Sequence, residues 1–353
     1  MRSTDPDLLK EYALKIWHYK QGEVVSLMVH LGDRLGLYQA MAGGEELTSG
    51  ELAERTGLSE RWVREWLLGQ AAAGLIERAP DVGFSLSAEG EEVLVNDDAL
   101  AFSAGAFIGG LPPERIQEVV DAFHTGIGVT YHQLGEPLAR QVDRMNKAWV
   151  GAFLVERVLP CVDGLVGMLE AGCRVAEVGS GGGITVRTLA ERFPASTVDG
   201  YEPSGIASSR ARHRIRGLPN ATIHRAGGEE LADDGRYDLV LALDCMHDVP
   251  FPDRIAAAVR HSLKDDGVWL IKDMHCSDVF EDNLKNPMLA MLYGYSLSAC
   301  LLSATSEEGA AGLGTVGFHP VEAERIIREA GFSAIREFRL KEDPTHNYYE
   351  VRP

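Results

Sequence analysis

Apolar positions recur at helical spacing between residues 5 and 41, where Leu8, Leu9, Ala13, Ile16, Trp17, Val24, Leu27, Met28, Leu31 and Leu35 form one stripe. Such a stripe predicts an amphipathic helix whose apolar side meets the core or a second subunit. A short helix follows, opened by a Thr48 or Ser49 cap. The turn Gly57-Leu58-Ser59 brings a second cap, and an apolar-periodic helix over 61–75 stops at Gly74. Residues 75–86, interrupted by Pro80-Asp81-Val82-Gly83, read as a β-hairpin. Helix, turn, helix and hairpin together predict a winged helix. Residues 99–170 are helical in pattern but broken by Gly109-Gly110, Pro112-Pro113, Gly126 and Gly128, as expected of a connector and lid.

From residue 173 the period changes. Short apolar runs at 174–178, 197–201, 222–225, 237–243, 268–272, 334–340 and 348–351 alternate with helical patterns. That alternation predicts an α/β fold with a mainly parallel, doubly wound Rossmann-like sheet, whose ligands sit beyond the carboxyl ends of the strands. The expected domains are a winged helix over 1–98, a helical connector and lid over 99–165, and a ligand-binding domain over 166–353.

Charge changes the meaning of the winged helix. The chain carries 34 Lys and Arg against 53 Asp and Glu, a net −19. Residues 1–98 hold 9 basic and 18 acidic side chains, or −9, and the presumed recognition helix sets Glu60 and Glu65 against its Arg61 and Arg64. Binding to nucleic acid needs a dense basic patch that releases counterions, so this domain is expected to dimerise the chain or cover a ligand. Charged residues interrupt the first 20 positions, and the apolar stretch 288–302 is shorter than the ~20 residues a membrane span needs. A cytoplasmic protein without membrane contact is therefore expected, with Cys161, Cys173, Cys245, Cys276 and Cys300 reduced because no CxxC pair occurs. Arg210, Arg212, Arg214 and Arg216 form the only basic run, expected to be a solvated helix face.

The loop after the first strand of the doubly wound region reads Glu177-x-Gly179-x-Gly181-x-Gly183. Glycines let the backbone approach a ligand, and the helix that follows presents free N–H groups there. A dinucleotide loop would read GxGxxG. A carboxylate two positions before the first glycine instead suits an ammonium group, which points to the amino-acid end of S-adenosylmethionine. Glu202 ends the second strand 23 residues after Gly179, where a carboxylate can take both ribose hydroxyls.

Beyond this loop, the motifs Gly128-Val129-Thr130-Tyr131, His247-Asp248, Glu281-Asp282-Asn283-Leu284 with Pro287, Leu292-Tyr293, Gly312-Leu313-Gly314-Thr315, Glu329-Ala330-Gly331-Phe332 and Asn347-Tyr348-Tyr349 run along most of the chain. Through them the sequence resembles class I S-adenosylmethionine-dependent methyltransferases, and more narrowly a bacterial group with an N-terminal winged helix known from mycobacteria. The resemblance implies a homodimer joined by the winged helix and methyl transfer to a small molecule, with S-adenosylhomocysteine as product. It assigns Glu177, Gly179 and Gly181 to the methionine moiety, Glu202 to the ribose and Asp244 to the cofactor wall. Where the family often has Asp this chain has Gly228, so Glu229 is the expected adenine contact.

His247-Asp248 is similar to the pair after the fourth strand of plant-type small-molecule O-methyltransferases, where the His is the general base. Imidazole titrates near neutrality and can take a hydroxyl proton, so O-methylation with His247 as base and Asp248 positioning it is the favoured expectation. Tyr131, Trp149, Phe153, His275 and Tyr293 are expected to line the acceptor pocket. No metal is assigned, although His247, Asp248 and His275 on one rim leave metal-assisted C-methylation of an α-keto acid as an alternative. A transcriptional regulator that senses S-adenosylmethionine is the other.

Overall fold

The computed structural model describes residues 4–79 and 83–353. The chain divides into two compact units, residues 1–111 with 144–149, and residues 112–143 with 150–353.

In the first unit, Asp5 caps the helix Pro6–Arg34 by accepting from the N–H groups of Asp7 and Leu8. Thr48 and Glu51 form a reciprocal capping box on the helix Ser49–Thr56, which closes at Gly57 in the left-handed conformation. Ser59 occupies the cap position of the helix Glu60–Ala72, yet its hydroxyl makes no cap bond. Strands β1 (Glu77–Ala79) and β2 (Gly83–Ser85) pair antiparallel as the wing. Residues 80–82 of the expected turn lie outside the described residues. The core gathers Leu37, Tyr38, Met41, Leu52, Val63, Trp66 and Leu67. Tyr38 donates to Gln70 at 2.7 Å, and the Trp66 indole donates to the Met28 carbonyl at 2.9 Å. The long helix touches this core through Val29 and Gly32, while Leu8, Leu9, Ile16, Trp17, Val24, Leu27 and Leu31 of its stripe remain exposed.

In the second unit, strands β3 (Arg174–Val178), β4 (Thr197–Tyr201), β5 (Ala221–His224), β6 (Tyr237–Leu243), β7 (Leu263–Met274), β8 (Ala334–Leu340) and β9 (Asp343–Arg352) form a seven-stranded sheet in the order β5-β4-β3-β6-β7-β9-β8. The first five are parallel, and β9 runs antiparallel to both neighbours. Parallel strands buried on both faces read as continuous apolar runs, which is the character of Val240, Leu241, Ala242, Leu270 and Ile271, all fully buried. The strand order reverses between β3 and β6, so the crevice at their carboxyl ends is the topological switch point where such sheets bind ligands.

Candidate active site

Four strand ends and two helical segments of the second unit converge on this crevice. Gly179 follows β3 at φ 67°, and a Cβ there would stand 2.8 Å from the Cβ of Cys245. Only glycine tolerates both the left-handed backbone and this approach of the β6 loop. A Cβ on Gly182 would collide with the Asp143 carboxylate. That carboxylate is buried and paired with Arg210 at 2.7 Å and Arg214 at 2.9 Å, and Arg214 also donates to the Gly182 carbonyl. The basic run is therefore not a solvated face: two of its members clamp Asp143 against the glycine loop, and Arg212 donates to the Ile223 carbonyl.

Glu177 and Glu202 bracket the loop, each 3% exposed. Glu177 reaches the first turn of the helix Ile184–Arg192, bonding the Thr185 side chain and the Val186 N–H. Its Oε2 is buried without a hydrogen-bond partner. Burial, helped by the nearby Glu202, pushes its carboxyl up to about 8. Glu202 accepts from Gly181 N–H at 2.9 Å and from Ser204 N–H at 2.8 Å. Burial lifts it to about 7 despite these two bonds.

Asp244 follows β6 at φ 55°, in the left-handed region that a side chain rarely adopts. It is pinned by the buried Lys272 ammonium at 2.5 Å, and His346 lies 3.6 Å away. Burial opposes ionisation of Asp244, but Lys272, with His346, holds it below the ordinary carboxylate range.

His247 is 5% exposed, and its Nδ1 lies 2.7 Å from Oδ1 of Asp273 near the end of β7. Asp273, not Asp248, is thus the hydrogen-bonded partner of His247. Burial disfavours the imidazolium, but Asp273, and after it Cys300, holds the ring well above the ordinary imidazole value. Asp248 shares the site as a carboxyl raised to about 7, chiefly by burial.

The other expected residues divide. Tyr131 joins the site: burial, then Asp248, Glu202, Asp143 and Cys300, push its hydroxyl up. The segment that carries it docks on the helix Leu301–Ala304 and the residue after it, with Val129 N–H donating to Leu302 at 3.0 Å and Gly128 N–H to Thr305 at 2.9 Å. Phe153 is buried in the π-helical turn Val150–Val158, and Trp149 belongs to the first unit. The His275 ring pairs with the Asn347 amide oxygen at 2.9 Å. Tyr293 is 40% exposed and lies 6.4 Å from the Phe280 ring. Glu229 is exposed on the turn Gly228–Glu230, and Gly228 is packed against Val178 and Ile255 with no room for a side chain.

Asp143, Lys272, Asp273 and Cys300 are site residues that no motif announces. Lys272 and Asp273 were nonetheless visible as two charges directly after the apolar run 268–271 of β7, each of which must find a partner when buried.

Among the described residues, no group of three or more His, Cys, Asp and Glu side chains is arranged to hold a metal ion, and no helix is long and apolar enough to cross a membrane.

Residues 23–95 match the family model of the Rv2258c-like winged HTH domain, and residues 176–269 match that of a methyltransferase domain. No curated protein matches the chain in sequence. Human N-acetylserotonin methyltransferase, solved in complex with SAM, is similar in structure with a TM-score of 0.70 and 14% identity, over 100% of this chain and 99% of that one. The mitomycin 7-O-methyltransferase MmcR gives a TM-score of 0.70 at 18% identity, over 99% of this chain and 100% of its own. An O-methyltransferase family protein from Burkholderia thailandensis gives 0.67 at 18%, over 100% and 98%. At these identities the likeness is one of fold, and it extends over both units. With an Rv2258c-like winged-helix domain matched at one end and a methyltransferase domain at the other, the chain joins these two domains on the fold of class I methyltransferases.

Proposed function

We propose that the protein transfers a methyl group from S-adenosylmethionine to a hydroxyl of a small-molecule acceptor, with His247 as general base and Asp273 as the group that orients it. S-adenosylmethionine supplies the methyl on a positively charged sulfur, and S-adenosylhomocysteine remains after transfer. The chain's residues suit that donor. Glu177 offers a buried, unpartnered carboxylate oxygen to an ammonium group. Glu202 keeps lone pairs for two hydroxyls beside its two backbone bonds. Asp244, held by Lys272, adds a third negative wall, and Glu229 is the assigned contact on the adenine side.

The observation that carries the acid–base assignment is the buried contact of 2.7 Å between His247 Nδ1 and Asp273 Oδ1. A proton donated from Nδ1 to Asp273 leaves Nε2 as the acceptor, so the ring can take a hydroxyl proton as the methyl bond forms. Tyr131 bounds the same space and favours an acceptor with an apolar or aromatic body. The mitomycin 7-O-methyltransferase, similar in fold, is by name an enzyme that methylates oxygen.

The winged helix serves as the dimerisation element in this reading. Trp17, Leu8, Leu9 and Ile16 on the long helix are more than half exposed in the single chain, a surface of the kind that subunits cover. Arg61 and Arg64 are engaged by Glu65 at 2.5 Å and Glu60 at 3.4 Å on their own helix, which weakens any pull on a phosphate backbone.

The test is release of S-adenosylhomocysteine across a panel of phenols, catechols, amines and α-keto acids. The expected result is turnover confined to hydroxylated acceptors and cut ~10²-fold or more by His247→Gln. Turnover on amines or keto acids that His247→Gln leaves unchanged would overturn it.

A further inference from the structure

The clamp on Asp143 uses only part of the charge in the basic run. The helix Gly205–Arg214 and Arg187 of the helix Ile184–Arg192 wall an open cavity of about 510 Å³, lined by Arg187, Ser209, Arg210, His213 and Arg214 with no apolar side chain. A second cavity of about 500 Å³ shares Ser209 and Arg210 with it and adds Arg225 and Glu136. The carboxylates that face these guanidiniums do not balance them. Arg210 and Arg214 divide a single oxygen of Asp143, at 2.7 Å and 2.9 Å. Arg187 is paired with Glu191 at 2.8 Å, where both are half-exposed. Glu136 lies 3.9 Å from Arg210 but 2.7 Å from Arg140. The Arg225 guanidinium packs over Gly205, 3.0 Å from where a Cβ would stand, and among the described residues no carboxylate pairs with it. Gly205 opens its helix, so the free N–H groups there add partial positive charge to that of Arg225. A cationic hollow is thus left on a chain whose net charge is −19.

We propose that this hollow is a binding site for a soluble small molecule that carries phosphate. Each guanidinium presents five N–H donors in a planar fork, and one shared carboxylate oxygen occupies few of them. A phosphate group in the first cavity takes the remaining donors of Arg187, Arg210 and Arg214, with the Ser209 hydroxyl and the His213 ring beside them, and neutralises the surplus charge. Arg225 draws a second anionic group into the adjoining cavity. The all-polar lining of the first cavity offers no wall to an acyl chain, which favours a soluble phosphate over a lipid headgroup. None of Glu177, Glu202, Asp244 and His247 lines either cavity. The site therefore requires neither S-adenosylmethionine nor methyl transfer, and it stands or falls separately from the proposed reaction.

The probe is inorganic pyrophosphate, titrated calorimetrically into the full chain at pH 7 and low salt, with and without saturating S-adenosylhomocysteine. Citrate, an anion of similar charge without phosphate geometry, is the comparison. Pyrophosphate should bind at one site in both conditions and at least about tenfold more tightly than citrate, because the forks match phosphate oxygens. Arg187→Gln and Arg225→Gln, both at solvent-exposed ends of the hollow, should each weaken it about fivefold, the value of a charge-assisted contact discounted for exposure. Arg325→Gln, on the helix Pro320–Glu329, should leave it unchanged. Four results would overturn the proposal: no pyrophosphate binding by the wild-type protein up to about 5 mM, equal affinity for citrate, displacement by S-adenosylhomocysteine, or equal losses in Arg187→Gln, Arg225→Gln and Arg325→Gln. The first three need no variant to fold.

Discussion

Replacing Glu202 by Gln separates charge from shape at the ribose position. Both Glu202 oxygens already accept backbone N–H groups, from Gly181 at 2.9 Å and Ser204 at 2.8 Å, and burial leaves the carboxyl half-protonated near pH 7. Gln keeps the volume but turns an NH2 toward one of those donors and is neutral at every pH. If the carboxylate takes the ribose hydroxyls, its charge-assisted bonds contribute about 1.5–3 kcal/mol each relative to none. Losing the charge across the pair should cost about 3 kcal/mol, or roughly 100-fold in Kd at pH 8. The pH dependence sharpens the test. Below its folded pKa the wild-type group must release a proton to bind as a carboxylate, at ~1.4 kcal/mol per pH unit. Glu177, raised mainly by burial, keeps most of its contribution to the slope in the variant and loses only the smaller share that comes from Glu202. Calorimetric titration with S-adenosylhomocysteine should therefore show the gap between wild type and variant narrowing from about 100-fold at pH 8 to about tenfold at pH 6. A variant within threefold of wild type at pH 8, or two curves running parallel with pH, would refute the ribose assignment.

Asp273→Asn should lower turnover and move the rising limb of the kcat/KM profile toward lower pH, because His247 loses the charge that holds its pKa up; Asp248→Asn should leave that limb in place, and the reverse outcome would restore Asp248 as the orienting group. Since only neutral His247 can accept a proton, wild-type activity should rise with pH through a point above the ordinary imidazole value, as initial rates from pH 6 to 10 would show. Asp143→Asn breaks the clamp with Arg210 and Arg214 and should cost about 2–4 kcal/mol in urea unfolding, because two partly buried guanidiniums lose their counter-charge. A loss under 0.5 kcal/mol would make the clamp incidental. Glu177, whose carboxyl is raised from the ordinary 4.5 to about 8, stabilises the unliganded fold below pH 4.5 and loses that contribution as pH rises through 8. Glu177→Gln should accordingly flatten the fall in urea stability between pH 5 and 8, and equal slopes would count against burial as the cause.

Periodicity carried the architecture well because each strand of the sheet is set by local rules. Four expected strands, 174–178, 197–201, 237–243 and 334–340, coincide with β3, β4, β6 and β8. The glycine loop and Glu202 were legible for the same reason: they lie next to one another in the chain or at a fixed strand-end offset. His247 was legible as a residue type, but its partner was not. Adjacency suggested Asp248, but His247 and Asp248 lie in the turn beyond β6, and it is β7 that delivers Lys272 to Asp244 and Asp273 to His247. The pairing across β6 and β7, with Leu243 beside Lys272, sets which charge meets which, and that register is a tertiary fact. Asp143 was hidden for a related reason, since a helical acid reads as solvated until the Arg210 and Arg214 pair, four residues apart on one face, is seen to need a buried counter-charge. The buried charges of this site thus obey a rule that residue order alone can express: Lys272-Asp273, directly after the apolar run 268–271, demands two partners when buried. The loop 244–248 beside its carboxyl end supplies both, in Asp244 and His247.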